Sequence, residues 1–221
     1  MRIATWNVNS VRQRLQHLVA YLKEIQPDVL CLQEIKCLDE QFPKLEIEEL
    51  GYNIETHGQK SFNGVAILSR LPLHNARSRP LPGAPDREPR TDLTADVEMR
   101  PGLPMLQFST THLDQGFDIA SRLAQVRFLN ATVAPDEEQP AILAGDLNSQ
   151  ADSAVVSVLH QVWCDMFTAP EPLGPQGLPR RRVDHVLARP AARWHTDDAQ
   201  IVDDRIASDH RPVIVTLEWE G

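Results

Sequence analysis

Cysteine is scarce, and no zinc-type spacing of cysteine and histidine occurs. Cys31, Cys37 and Cys164 are odd in number, and Cys31 lies in an apolar run. Reduced thiols are therefore expected rather than a disulfide framework. Long apolar stretches are also missing: none approaches the roughly 20 residues that span a bilayer. The first residues, Met1-Arg2-Ile3-Ala4-Thr5-Trp6, lack the charged and apolar regions of a secretory leader and read as a strand, so a cytoplasmic protein is expected. Positive charge is in deficit, with 22 Lys and Arg against 31 Asp and Glu and a formal net charge of -9. Affinity for nucleic acid draws largely on basic contacts to phosphate, so a strong electrostatic grip is disfavoured. A nuclease is not excluded, because a bound divalent cation changes the charge of a site. There is no Walker-type glycine loop and no Ser or Cys nucleophile on a glycine elbow, which removes the chemistry those motifs carry.

What is present is ordinary for a soluble globular chain: 221 residues, 42% hydrophobic and 24% charged, enough for one large core or two small domains. Arg2 to Val8 alternates as a strand and exits through Asn7-Val8-Asn9-Ser10, with Ser10 the expected N-cap of the next element. Apolar residues at 11, 15, 18, 19, 22 and 25 repeat at helical period, and Gln26-Pro27 ends that helix. Asp28 to Glu34 is a second, buried strand, adjacent to the first across the crossover helix. A short acidic helix over 41–50 and strands over 52–56 and 64–69 follow. Residues 71–90 hold five prolines and four arginines (Arg77, Arg79, Arg87, Arg90), and are expected to be a loop between two halves of the chain. Paired strands over 91–99 and 105–113 come next. A helix over 118–133 then presents Ile119, Leu123, Val126 and Leu129. The apolar run 140–144 reads as a buried strand leading into Gly145-Asp146-Leu147-Asn148, where Gly145 permits a tight turn or a close approach. In extended backbone, Asp146 and Asn148 share a face. A helix over 152–162, a Pro/Gly-rich loop over 169–179, a strand from Arg180-Arg181-Arg182 through Leu187, and a last strand over 212–219 complete the chain. Strands, a helix, and then a strand ending in polar residues recur in each half. The pattern predicts two similar sheets packed face to face with helices outside, as one α/β domain over residues 1–221.

Polar groups collect at the ends or starts of these strands: Asn7; Glu34; His112; Asp146 with Asn148; and Asp209 with His210. Asp184 lies within a strand. Each alone has an ordinary structural explanation, such as a cap, a turn or a solvated charge. Together they point to a site, because rigid scaffolds commonly present functional residues on the loops at strand ends. Carboxylates and amides without thiolates favour a hard cation, Mg²⁺ or Mn²⁺, over zinc. Such a cation stabilises charge on phosphoryl and leaving oxygens. A carboxylate can orient water, and a histidine paired with a buried Asp can serve the phosphate. Hydrolysis of a phosphoester by activated water is the economical hypothesis.

Thr-Trp-Asn at the first strand and Leu-Gln-Glu at the second, followed by Gly-Asp-Leu-Asn and Ser-Asp-His, resemble the endonuclease/exonuclease/phosphatase superfamily along nearly the whole chain. Residues 1–37, and more loosely those up to Arg70, are similar to the exonuclease III type of abasic-site endonuclease. The resemblance implies a four-layer α/β sandwich of two mixed β-sheets with helices on the outer faces. It implies that Glu34 binds the metal with Asn7 close by and Asp209 near it. It also implies that Asp146 orients the attacking water, Asn148 holds the scissile phosphate, and His210 stabilises the phosphoryl group with Asp184 as its partner. Arg90 matches an arginine that helps set such sites. The chain departs from the exonuclease III type at Thr-His-Leu-Asp, where that type carries Tyr-x-Pro-x-Gly. The departure is similar to the deoxyribonuclease and sphingomyelinase branches and gives His112 a role at the leaving group. The tryptophan-rich loop after Asn148 is missing too. DNA is the leading expected substrate and a monomer the expected state. A small-molecule or lipid phosphodiester is the alternative, and a catalytically silent binding module on the same fold the third reading.

Overall fold

The first strand shows how the layers arise. In β1 (Arg2–Asn7), Ile3 packs into one apolar cluster while Ala4 and Trp6 pack into another. Alternation along a strand sends neighbouring side chains to opposite faces, and both faces of this strand are covered. The computed structural model describes residues 1–59, 63–133, 138–169, 182–202 and 208–220. After β1 come α1 (Leu15–Ile25), β2 (Val29–Gln33), α2 (Lys44–Glu48), β3 (Asn53–His57), β4 (Val65–Ser69) and β5 (Leu73–Pro80). The chain continues through β6 (Thr91–Val97), β7 (Leu106–His112), α3 (Ile119–Thr132), β8 (Ala141–Asp146), α4 (Ala154–Leu159) and β9 (Cys164–Asp165). It ends with β10 (Asp184–Arg189), β11 (Trp194–Ile201) and β12 (Val213–Trp219).

One sheet runs β11-β12-β1-β2-β4-β3 and the other β5-β6-β7-β8-β10-β9. In each, a parallel pair (β1 with β2, β7 with β8) is flanked by antiparallel neighbours. Ile3, Cys31 and Ile67 of the first sheet meet Phe108, Ile142 and Val186 of the second in a shared core. Leu30 and Leu32 pack beneath Leu18 and Leu22 of α1. Leu143 and Leu187 lie beneath Val126 and Leu129 of α3 and Val155 of α4. The result is the expected α/β sandwich, helix on sheet on sheet on helix.

Several expectations need correction. Residues 73–80 form β5 rather than a loop. It is an edge strand with mostly exposed side chains, so it carries no apolar alternation to read. Arg79 holds it instead, donating through Nη2 at 2.9 Å to the fully buried Asp92 carboxylate. Strand β11 was not anticipated for the same reason: it too is an exposed edge. Ser10 does not cap α1. Its φ is +85°, and the helix begins only after Arg14. Within α3, the expected face is displaced: Ile119 is exposed, while Arg122 and Gln125 are buried. The expected loop over 169–179, apart from residue 169, lies outside the described residues, as do Arg180 and Arg181. Among the described residues, no helix is long and apolar enough to cross a membrane.

Candidate active site

Asn7, Gln33, His112 and Asp146 are the last residues of β1, β2, β7 and β8. These are the two parallel pairs, and their C-terminal ends meet at one end of the sandwich. Antiparallel neighbours deliver the rest. Asp184 opens β10 directly opposite Asp146. Asn63 precedes β4, Arg90 precedes β6, and Ser208 to His210 precede β12.

Asn7 joins the two sheets. Its buried Nδ2 donates at 3.0 Å to Glu34 Oε1 and at 3.0 Å to Asp146 Oδ2. Glu34 lies just past β2 with a φ of +52°. For a non-glycine residue, that conformation costs on the order of 1–3 kcal/mol and is typical of functional sites. Lys36 Nζ lies 2.9 Å from Glu34 Oε2 and donates at 2.6 Å to Asn9 Oδ1. Asn9 Nδ2 in turn donates at 3.2 Å to Asp209 Oδ1. Asp209 is thus linked to Glu34 through Asn9 and Lys36. Its carboxyl is disfavoured as an anion by partial burial, yet the His210 charge and the hydrogen bonds it accepts hold it below the usual range.

Each sheet supplies one imidazole, His210 ahead of β12 in the first and His112 at the end of β7 in the second, and their surroundings contrast. His210 Nδ1 is 2.9 Å from Asp184 Oδ2, and its Nε2 is 3.7 Å from Asp146 Oδ2. Burial alone would push this imidazole down. The Asp184 hydrogen bond and the charges of Asp184, Asp146 and Asp209 outweigh it and raise the pKa to about 10. His112 is 4% exposed, and burial lowers it to about 4 against the pull of Asp146. Its Nε2 lies 3.0 Å from Asn148 Nδ2 and 3.4 Å from Asp146 Oδ2.

Asp146 and Asn148 do not share a face of extended backbone, as their spacing suggests. Asp146 ends β8, while Asn148 has a φ of +46°. The two meet through a turn: Asn148 N donates at 2.9 Å to Asp146 Oδ1, and Asn148 Nδ2 donates at 2.9 Å to the Leu113 carbonyl. Gly145 is inside the strand, where a Cβ would collide with the Thr111 carbonyl oxygen. It serves close approach, not a turn.

Arg90 is buried and donates to Asn63 Oδ1, and the charges of Asp146 and Glu34 reach its guanidinium. It also lines a cavity of ≈ 380 Å³ with Arg87, Asp114 and the fully exposed Phe117. The sequence reading missed Asn9, Lys36, Asn63 and Ser208. Ser208 Oγ donates at 2.8 Å to the Asn7 carbonyl and fixes the turn into His210. Their sequence signal was position alone: Asn9 and Lys36 lie within three residues of the ends of β1 and β2, Asn63 two residues before β4, and Ser208 two residues before His210. Ligand atoms of Asp146, Asp184 and His210 lie within 4.8 Å of one another, a spacing compatible with a metal ion.

A sequence model of the endonuclease/exonuclease/phosphatase family matches residues 4–210. The chain belongs to this family. It is 33% identical to exodeoxyribonuclease III of Haemophilus influenzae over 159 residues, covering 67% of this chain and 57% of that protein. The chain spans less than two thirds of the length of the curated relatives it matches. Among solved structures, an AP endonuclease from Archaeoglobus fulgidus superposes with a TM-score of 0.75 at 26% identity, covering 99% of both chains. A 3′-5′ exonuclease from Neisseria meningitidis superposes with a TM-score of 0.79 at 25% identity, covering 99% of this chain and 100% of that one. For this member of the family, the strand ends that carry Asn7, Glu34, Asp146 and His210 thus lie within the matched stretch.

Proposed function

We propose that the protein hydrolyses phosphoesters with an activated water, and that DNA is its leading substrate, cut in the manner of an exonuclease or abasic-site endonuclease. The observation that carries the chemistry is the line from Asp184 through His210 to Asp146, joined by Asn7 to Glu34. Family membership and the likeness to exodeoxyribonuclease III support the substrate.

Asp146 is 1% exposed and pinned at both oxygens, by Asn7 Nδ2 and Asn148 N. A carboxylate held this way orients a water and accepts its proton. Asp184 holds the Nδ1 proton of His210, which leaves Nε2–H facing the Asp146 side of the cleft. As a cation at neutral pH, His210 offers charge and a hydrogen bond to a phosphoryl oxygen. Asn148 has its Nδ2 hydrogens on Leu113 O and His112, and it holds a phosphate oxygen by sharing one of them while His112 keeps the amide in place.

Glu34 and Asn7, with Asp209 nearby, fit a hard cation, Mg²⁺ or Mn²⁺. The donors are all oxygens, and Lys36 Nζ already places positive charge between Glu34 Oε2 and Asn9 Oδ1. When bound, such a cation stabilises negative charge on the phosphate and leaving oxygens.

One observation favours the second reading, a small or lipid phosphodiester: a net charge of -9 leaves little general attraction for a polyanion. A panel of abasic-site duplex, single-stranded DNA, sphingomyelin and a simple diester, each with and without Mg²⁺, tests both. Metal-dependent cutting of DNA supports the proposal. Turnover of a small diester without DNA cleavage moves the assignment to the second reading, and no turnover of any of them returns the chain to a silent binding module.

A further inference from the structure

Asn148 fixes the protonation of His112. A backbone carbonyl can only accept, so the 2.9 Å contact to Leu113 O identifies the Asn148 amide nitrogen. The second hydrogen on that nitrogen is then directed at His112 Nε2, 3.0 Å away. Two donors cannot face each other, so Nε2 carries a lone pair. The proton of a neutral ring must sit on Nδ1. That nitrogen is buried and has no partner among the described residues, and the same holds for Arg90 Nε. Both residues line one cavity of ≈ 10 Å³, together with Asn63 and Thr91. This is room for about one water molecule, and a polar cavity with unpaired groups is where buried water is found.

We infer that a buried water sits in this cavity, accepting from His112 Nδ1–H and Arg90 Nε–H, and that His112 is a positioning residue for Asn148 and not the acid for the leaving group. The contrast with His210 supports this. His210 Nδ1 has a carboxylate partner, whereas His112 Nδ1 has none among the described residues. The remaining carboxylate, Asp146, is 3.4 Å from Nε2, beyond normal N–H···O length, and already accepts from Asn7 and Asn148. Burial, with the Arg90 and His210 charges adding to it, keeps the His112 ring neutral near pH 7.

The kinetic part of the test rests on the phosphoester reading; the spectroscopic part does not. With ¹⁵N-histidine-labelled protein at pH 7, long-range ¹H–¹⁵N correlation should show His112 protonated at Nδ1 and bare at Nε2. An Overhauser contact from Hδ1 to bound water is also expected. A proton on Nε2, or on both nitrogens, overturns the inference, and an Hδ1 without a water contact removes the buried water. Kinetics then separate the two roles. His112→Gln keeps an acceptor where Nε2 lies, and His112→Leu does not. Positioning predicts a loss of about 10-fold to 10²-fold for Leu with substantial rescue by Gln, equal for alkoxide and nitrophenolate leaving groups. An acid role predicts equal losses for Gln and Leu, shrinking when the leaving group is nitrophenolate.

Discussion

The two sheets are built to one plan and equipped differently. Each has a parallel pair around a crossover helix, an antiparallel hairpin beyond one member and an antiparallel extension beyond the other. Register makes the comparison residue by residue. Across the first sheet, Asn7 lies opposite Gln33, and Gln33 opposite Val65. Across the second, His112 lies opposite Asp146, and Asp146 opposite Asp184. One row is amide, amide and valine; the other is imidazole and two carboxylates. The scaffold therefore creates two equivalent rows, and only one of them carries ionisable side chains. The oxygens proposed for a cation belong to the first sheet, one step off the plan. Glu34 lies just past the row, turned by its positive φ.

The sharpest way to break this comparison is to disarm the second row without changing its shape. Asp146→Asn keeps volume and one oxygen but loses the base, and should lower kcat roughly 10³-fold. Circular dichroism and the thermal midpoint should stay close to wild type. Activity near wild type in Asp146→Asn would mean that the acidic row is not the reacting one.

Asp184→Asn tests the same row through His210. Removal of the anion lets burial dominate, so the imidazole pKa falls from about 10 and the cation is lost at lower pH. The sign follows: activity that needs the cation persists below the pKa and fails above it. Wild type should show an alkaline limb near 10, Asp184→Asn should show it at lower pH, and the rate at neutral pH should fall roughly 10²-fold. The Asp184–His210 bond also stabilises the fold below the unfolded imidazole pKa of about 6.5, and that contribution is lost as pH rises through the folded value. Identical limbs in the two proteins would leave Asp184 without its assigned part.

How much of this was legible in sequence depends on what each residue answers to. The buried strands were readable because both faces of β1, β2 and β8 are apolar or end in a polar residue. Two of the edges were not: β5 and β11 are held by backbone pairing and by single contacts such as Arg79 to Asp92, which leave no periodic trace. The site residues stood out as acids and imidazoles at strand ends, but their partners did not. Asn9, Lys36 and Asn63 matter because the chain folds back on itself. The pairing of Asn148 with His112 rather than with Asp146 on a shared face depends on a left-handed residue that spacing cannot reveal.

Gly145 sharpens the comparison at the next position back. Its register counterpart is Leu32, a fully buried residue beneath α1. The same place on the plan takes a large side chain in one sheet and none in the other, because the Thr111 carbonyl closes on Gly145. Gly145→Ala should destabilise by about 3 kcal/mol in denaturant titration, since backbone must shift to admit the methyl, and should depress activity by displacing Asp146. A stable, fully active Gly145→Ala would show that the two strands have room to spare.

The smallest effect belongs to the unarmed counterpart of Asp146. Gln33 Nε2 donates at 3.1 Å to Thr110 Oγ1 across the sandwich and at 3.0 Å to Thr5 Oγ1. All three side chains are fully buried. Gln33→Leu leaves two hydroxyls short of a partner and should lower stability by about 1–2 kcal/mol, with kcat of the folded protein little changed. If the residue is only a buried link, replacing its partners as well should restore most of the loss. Thr5→Val and Thr110→Val added to Gln33→Leu remove the stranded hydroxyls, and a cluster of these three positions with no polar group left has nothing to satisfy. Recovery of the denaturation midpoint with retained turnover would assign Gln33 and its two threonines to packing, whereas a large fall in kcat would mean that they too take part in the chemistry.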